Sequence, residues 1–473
     1  MSTHDYHRNT LYIDGRWVTP SSAEVIEVVD PATEQVIGHV PAGTEADVDA
    51  AVAAARRAFD PLISVEERKR RLAAVIDAME KRLPGIAETI TREMGAPIRV
   101  SQTVQTQVPL AVARGFAAAL EEIPFSERIG NSLVLREPYG VVAAITPWNY
   151  PLYQVVAKVL PAIAAGCTVV LKPSNIAPLS VFEFVEAVHE AGLPPGVVNL
   201  VTGPGARIGE YLSVHPDVDF VSFTGSTEVG SRVGELAGRS VKKVALELGG
   251  KSANVILEGA DLAAAVKVGV GNAFLNGGQT CMAWTRMLVP LSRYSEALEI
   301  IEATVPKYTV GDPWDPDTRI GPSASAAQYE TVLGFIERAP ADGARLVTGG
   351  LGRIRDTGYF IAPTVFADVL PDSELGQQEV FGPVLAVIPF RDTDEALEIA
   401  NGTDYGLSGA VWAADDETAI AFARQVRTGQ LDINGGRYNP AAPFGGYKKS
   451  GVGRELGRFG LEEFFQIKSL QLS

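Results

Sequence analysis

The chain has 473 residues, 46% apolar and 21% charged, and its formal charge is 41 minus 57, or −16. That length implies two or three domains with cores large enough to need no disulfide staple. The acidic balance repels phosphate backbones and anionic headgroups, which argues against nucleic acid and membrane surfaces as partners.

Residues 1–10 are polar and lack the apolar run of a secretory signal, so a cytoplasmic setting is expected. His4 and His7 read as solvated tail residues, and the scattered histidines form no ligand cluster, so no metal is expected. Val48, Ala51, Val52, Ala55 and Phe59 recur at helical spacing and mark an amphipathic helix that packs on a sheet. Residues 132–136 are strand-like and interrupt a helical region.

A regular α/β series follows. Strands are predicted at 141–145, 168–171, 197–201, 220–223 and 243–246, with helices at 155–165, 181–191, 206–212 and 228–237. Gly166 and Gly192 end the first two helices. Continuous apolar strands separated by helices imply a parallel sheet covered on both faces, which binds ligands at its carboxyl ends. A second α/β series runs over 260–434, with strands at 384–388 and 410–412 and a helix at 394–400. The tail, 465–472, alternates and reads as a strand. With 132–136 it forms an edge expected to pair across subunits, in a homodimer or homotetramer.

Two segments carry chemistry. Gly277-Gly278-Gln279-Thr280-Cys281 sets a thiol after a flexible polar run, and the only other cysteine, Cys167, sits at a helix-to-strand turn and reads as structural. Two cysteines so far apart make no disulfide framework and suit a reducing compartment. Leu246-Glu247-Leu248-Gly249-Gly250-Lys251 puts a carboxylate at the end of an apolar strand. A thiol nucleophile with such a carboxylate suggests covalent catalysis followed by attack of activated water.

Further segments stand in a fixed order: Pro147-Trp148-Asn149-Tyr150-Pro151, Lys172-Pro173-Ser174, Phe223-Thr224-Gly225-Ser226-Thr227, Glu379-Val380-Phe381-Gly382-Pro383 and Pro443-Phe444-Gly445-Gly446-Tyr447-Lys448. With the two above, they make the chain resemble an NAD(P)-dependent aldehyde dehydrogenase from Leu11 to its end. The resemblance implies an α/β fold with a Rossmann-like parallel-sheet cofactor domain (1–122 and 139–247) and a second α/β, catalytic domain (248–448). A small β oligomerisation arm (123–138 and 462–473) completes it. It implies that Cys281 attacks the aldehyde, that Asn149 and the Cys281 N–H hold the alkoxide, and that Glu247 activates the hydrolytic water. A hydrolytic base counts against a coenzyme-A-acylating relative. Lys172 is expected among both the catalytic and the cofactor-binding residues.

For the cofactor, Gly225-Ser226-Thr227-Glu228-Val229-Gly230 opens a helix after a strand, a plausible pyrophosphate site that departs from the Gly-x-Gly-x-x-Gly fingerprint. Lys172 with Ser174 is implied at the adenine ribose, Glu379 at the nicotinamide ribose and Phe381 against the ring. Ile145, Pro147, Trp148, Gly205, Phe223, Leu248 and Gly249 complete the cofactor set. Asn175 stands where NAD-preferring relatives often carry a glutamate, so NAD and NADP both stay open. Tyr150, Tyr153, Gln154, Trp284 and Tyr438 are expected to line the path of a small-molecule aldehyde. Arg286 and Arg437 are the nearby cations for a carboxylate-bearing substrate. The competing readings are a thiol esterase or hydrolase using Cys281 and a non-catalytic protein on the same fold.

Overall fold

Apolar strands Val141–Ile145, Thr168–Lys172, Val198–Leu200, Phe220–Thr224 and Lys243–Glu247 form the parallel centre of an eight-stranded sheet in the computed structural model, which describes residues 6–473. All but the last are buried at every position, which is why they read as continuous apolar runs. Across the sheet Lys243–Glu247 lies beside Phe220–Thr224, followed by Val141–Ile145, Thr168–Lys172 and Val198–Leu200. The chain thus builds outward from Val141–Ile145 in one direction and then returns to build in the other. The reversal falls between Val141–Ile145 and Phe220–Thr224, where ligand crevices open beyond the strand ends. Antiparallel strands Leu11–Ile13 and Arg16–Val18 extend one edge, and Gly451–Val452 the other.

Helix Pro151–Ala165 is buried along nearly its whole length; proline opens it and Gly166, at φ 90°, closes it. Helix Glu45–Ala58 packs Val48, Ala51, Val52 and Ala55 with Val141, Ala143 and Val170, as its spacing predicts. The short helix expected at 206–212 opens instead as a π-turn, Gly205–Gly209, and continues as Glu210–Val214.

A second, seven-stranded sheet has Arg286–Pro290 at its centre, flanked by Val384–Phe390 and Ala253–Ile256, with Gly409–Trp412 beyond the latter. These four strands are parallel. Between Ala253–Ile256 and Arg286–Pro290 run helix Leu262–Ala273 and the segment that carries Cys281.

A three-stranded sheet joins Ser126–Ile129, Ser132–Pro138 and Phe465–Gln471. Here the structure corrects an expectation. The tail strand pairs with Ser132–Pro138 inside the same chain, from Phe465 opposite Pro138 to Gln471 opposite Ser132. The two lone strands are each other's partners, so Ser132–Pro138 is paired on both sides within the chain, while Phe465–Gln471 forms one edge of this sheet and Ser126–Ile129 the other. Uncovered are the outer strand Ser126–Ile129, exposed at every position, and the side chains of Ile467 and Leu470.

His7 also departs from the sequence reading. Its Nδ1 lies 2.9 Å from Nδ1 of His39, so it is held against the hairpin rather than simply solvated. His4 lies outside the described residues. Among those residues no helix is long and apolar enough to cross a membrane.

Candidate active site

The crevice at the switch point is a cavity of about 260 Å³. One wall is Pro147, Trp148 and Asn149, the exit of Val141–Ile145; another is Thr224, Gly225 and Ser226, the exit of Phe220–Thr224. Leu248 and Gly249 follow from Lys243–Glu247, and the second α/β unit closes the cavity with Cys281, Glu379 and Phe381. Residues spread over the whole sequence therefore meet where the sheet topology predicts a ligand.

The Cys281 segment is held by left-handed backbone. Helix Leu262–Ala273 ends, and Asn276, Gly277 and Gly278 take φ of 55°, 66° and 73°. A Cβ on Gly278 would collide with the carbonyl oxygen of Gly382, so this position requires glycine twice over. A buried amide network then fixes the bend. Asn149 Nδ2 donates to the Gln279 carbonyl at 3.0 Å, while Asn276 Nδ2 and Gln105 Nε2 both donate to the Asn149 carbonyl at 3.0 Å. Gln279 Oε1 accepts the Ala324 N–H at 2.8 Å. The Asn149 amide carries a second N–H for a ligand. Gln105 and Asn276 were not legible as site residues; the one signal was an asparagine directly before two glycines.

Electrostatics at the thiol are dominated by burial and carboxylates. Burial, then Glu379, Glu247 and Glu455, pushes the Cys281 thiol up, so it rests protonated. Burial and then Glu455 likewise hold the Glu247 carboxyl well above the ordinary range. One Glu247 oxygen, Oε2, is buried without a hydrogen-bond partner among the described residues, and Glu247 itself does not line the cavity. Lys158, 1% exposed within the apolar helix Pro151–Ala165, bonds Glu455 at 2.5 Å. Neither residue of this pair was singled out in the sequence, although a lone lysine inside an apolar helix was a usable signal.

Of the expected cofactor residues, Pro147, Trp148, Gly225, Ser226, Leu248, Gly249, Glu379 and Phe381 line the crevice, and Ile145, Lys172, Ser174, Asn175, Gly205, Phe223 and Val229 do not. Ser226 caps helix Thr227–Arg239 by accepting the Val229 N–H at 3.3 Å, leaving other first-turn N–H groups for an anion. Val229, half exposed, offers an apolar surface beside them. Gly205 is exposed on the neighbouring turn, Phe223 and Ile145 are buried, and Ser174 Oγ accepts the Ile176 N–H at 3.2 Å. Lys172 is placed at this end and not among the residues lining the thiol cavity. Burial lowers its amine to about 8, and among the described residues it bonds the Pro173 carbonyl at 3.0 Å. Buried Asn175 Oδ1 and Thr224 Oγ1 have no partners. Glu379 accepts the Gly250 N–H at 2.9 Å, and its carboxylate fills the space a Cβ on Gly249 would need. Burial raises it to about 7. Phe381, at φ 56°, stands edge-on to Trp148 with centroids 5.5 Å apart, its backbone held by Gln328. Unpartnered polar atoms, a helix N-terminus and a glycine-lined groove suit a dinucleotide.

Of the substrate residues, Tyr150, Tyr153 and Tyr438 all interact electrostatically with Cys281, and Gln154 lines the cavity. Trp284 does not join them. It is 2% exposed and packs with Phe274 and Met287 in the core of the second unit, so its expected place on the substrate path is corrected. The turn after Cys281 carries it away from the cavity and into the sheet. Arg286 is buried, donating to the carbonyls of Lys251, Ile399 and Ala400, and Arg437 is exposed.

Comparison with known proteins agrees. The model of the aldehyde dehydrogenase family matches residues 17–470. A Pseudomonas 3-succinoylsemialdehyde-pyridine dehydrogenase is 50% identical, over 97% of this chain and 98% of its own. A cysteine-to-alanine mutant of aldehyde dehydrogenase C from Pseudomonas syringae, in complex with NAD+ and octanal, superposes with a TM-score of 0.97 at 45% identity, covering 99% of this chain and 97% of that one. The Mycobacterium tuberculosis aldehyde dehydrogenase in complex with NAD+ gives 0.97 at 43%, covering 99% of each chain. A crevice that joins a thiol, a buried carboxylate and a dinucleotide groove therefore sits in a chain that belongs to the aldehyde dehydrogenase family, an oxidoreductase that converts aldehydes to carboxylic acids with NAD or NADP.

Proposed function

We propose that Cys281 is the nucleophile, Glu247 the base for hydrolysis, and Asn149 with the Cys281 N–H the oxyanion site. The observation that carries this is the shared cavity: Cys281 and Asn149 line it, and Glu247 lies within electrostatic range of the thiol with one oxygen unpartnered. The Cys281 thiol gives its proton to solvent as the sulfur bonds the aldehyde carbon, and the carbonyl oxygen takes up the charge, which the Asn149 amide stabilises by about 10²–10³ in rate. Bound NAD or NADP supplies the hydride acceptor and a ring cation that favours the thiolate. The thioester left on Cys281 is then attacked by water, whose proton passes to Glu247 as the sulfur–carbon bond breaks and the acid leaves.

Lys172 and Ser174 are assigned to the adenine ribose, Gly225 to Val229 to the pyrophosphate, Glu379 to the nicotinamide ribose and Phe381 to the ring face. The sheets support a cofactor domain at 1–122 with 139–247, a catalytic domain at 248–448 and an arm at 123–138 with 462–473. We assign the chain to the cytoplasm. The uncovered strand Ser126–Ile129 and the exposed Ile467 and Leu470 support a homodimer or homotetramer built on the arm. Light scattering checks this: an oligomer that dissociates when the tail strand is deleted is expected, and a micromolar monomer contradicts it.

The substrate is assigned as an aldehyde with an uncharged aromatic or apolar body. A pyridine-bearing semialdehyde appears in the name of one relative and octanal in the complex of another, and three tyrosines interact with the thiol. A panel of alkyl, aryl and carboxylate-bearing aldehydes with NAD and NADP, read as nicotinamide reduction with stoichiometric acid, tests it. Preference for the carboxylate-bearing members contradicts the assignment.

A further inference from the structure

Three phenols lie near the thiol, and their hydroxyl protons are not equally free. Tyr150 Oη is 2.8 Å from Thr280 Oγ1, which itself donates to the Leu275 carbonyl at 3.2 Å. Thr280 has a single proton, so Tyr150 must be the donor in that pair and has none left. Tyr153 and Tyr438 are different. Tyr153 projects from the first turn of helix Pro151–Ala165 and Tyr438 from the irregular run after Asp432–Ile433, and their hydroxyl oxygens meet at 3.0 Å. Two phenols hold two protons, and one bond between them uses one. The other is a donor without an assigned acceptor. Both rings are half-buried against the same core as Cys281 and Met282, and both interact with Cys281 and Glu455. Burial keeps them protonated, raising Tyr438 to about 12.

The charges around this donor select its acceptor. Glu379, Glu247 and Glu455 all bear on Cys281. Of the nearby cations, Lys158 is paired with Glu455 and Arg286 with three backbone carbonyls, while Arg437, next to Tyr438 in the chain, is exposed to solvent. A carboxylate on the substrate would have to give up its water among these buried carboxyl groups, whereas a neutral carbonyl oxygen would accept the phenol proton at little cost.

We propose that the Tyr153–Tyr438 pair is the specificity element of this site, donating a hydrogen bond to a neutral carbonyl that the substrate carries along the chain from its aldehyde. Keto-aldehydes are then preferred over plain alkyl or aryl-alkyl aldehydes and over aldehydes ending in a carboxylate. This rests on the reading that Cys281 oxidises aldehydes and adds the substrate class to it. The semialdehyde named for the Pseudomonas relative is of that chemical type.

The test uses the full-length enzyme and three aldehydes: a phenyl-substituted γ-keto aldehyde, the same skeleton with methylene in place of the ketone, and succinic semialdehyde. Wild-type kcat/KM should favour the keto aldehyde over the methylene analogue by roughly tenfold, with succinic semialdehyde the poorest. In the double variant Tyr153→Phe/Tyr438→Phe the ratio should fall to within about threefold of one, and at least one single variant should lower it. The ratio is internal to each variant, so a loss of folded enzyme cancels. A wild-type ratio near one, a ratio unchanged in the double variant, or succinic semialdehyde turned over as well as the keto aldehyde overturns the proposal. If no aldehyde supports nicotinamide reduction, the oxidation reading itself fails and the proposal falls with it.

Discussion

Cys167 and Cys281 are chemically the same group in two different places. Burial is the first cause that raises each thiol, Cys167 to about 11. Cys167 follows the Gly166 turn, is 2% exposed, and points its sulfur at the Phe464 carbonyl 3.6 Å away. Nothing can approach it. Cys281 borders a cavity, with the Asn149 amide on one side and the unpartnered oxygen of Glu247 in range. Burial therefore does not distinguish a reactive thiol from an inert one. Access does, together with a base to take a proton and a donor to meet the developing charge.

The comparison breaks most sharply on the two alanine variants. Cys281→Ala should lower both aldehyde oxidation and any ester hydrolysis by at least about a thousandfold, since each uses the same thiolate. Cys167→Ala should keep the rate within about twofold and lower stability by about 1–2 kcal/mol through a small cavity. Substantial nicotinamide reduction by Cys281→Ala, or an inactive but folded Cys167→Ala, would reverse the assignment of the two thiols.

Removing the base sharpens the same contrast. Glu247→Gln should allow a first turnover and then stall, with a steady-state rate reduced about 10²–10⁴-fold. Stopped-flow traces should show a burst of reduced cofactor approaching the enzyme concentration. A steady state at the wild-type rate would mean that water is activated by another group.

A smaller effect is expected from Glu455→Gln. Glu455 raises the Glu247 carboxyl, so removing its charge lowers that carboxyl's pKa. A base with a raised pKa works only once pH has climbed through it, so deacylation increases with pH. The rising limb of the steady-state profile should move to lower pH, because Glu247 loses a like charge while Lys158 keeps its own. A shift to higher pH, or none, would show that Glu455 does not raise the Glu247 carboxyl.

The pairing of Lys158 with Glu455 also marks the limit of what the sequence discloses. The two lie 297 positions apart, and no local pattern links them. By contrast, strands such as Val141–Ile145 and Thr168–Lys172 are legible because burial on both faces leaves an unbroken apolar run between glycines. Cys281 and Glu247 are legible because a thiol or a carboxylate in those surroundings has few structural reasons to be there. Trp284 was misread for an instructive reason. Proximity in sequence to Cys281 carries no directional information once the chain turns, and the turn sends the indole into the core. The tail strand and 132–136 are legible as two edges that must pair, but not that they pair within one chain, since a strand's alternation shows its face and never its neighbour.

The smallest expected effect lies at the other end of the crevice, at Asn175. Its Oδ1 is buried without a donor among the described residues, and its side chain brings no charge to the groove end proposed for the ribose. A neutral amide neither repels a 2′-phosphate nor grips both ribose hydroxyls as a carboxylate would, so wild-type enzyme should turn over NADP measurably beside NAD. Asn175→Glu introduces a like charge near that phosphate. At an effective dielectric of about 20 and ~4 Å the repulsion is ~4 kcal/mol before screening. Asn175 is only half-buried, so solvent and salt cut this to the order of a tenfold change in preference. kcat/KM for NADP should fall about tenfold while that for NAD stays within about threefold, because ribose hydroxyls can donate to the new carboxylate. Raising the salt concentration should narrow the gap, as expected for a screened charge. An NAD to NADP ratio unchanged by the substitution would move the discriminating contact away from Asn175, toward Lys172 and Ser174 on the same strand exit.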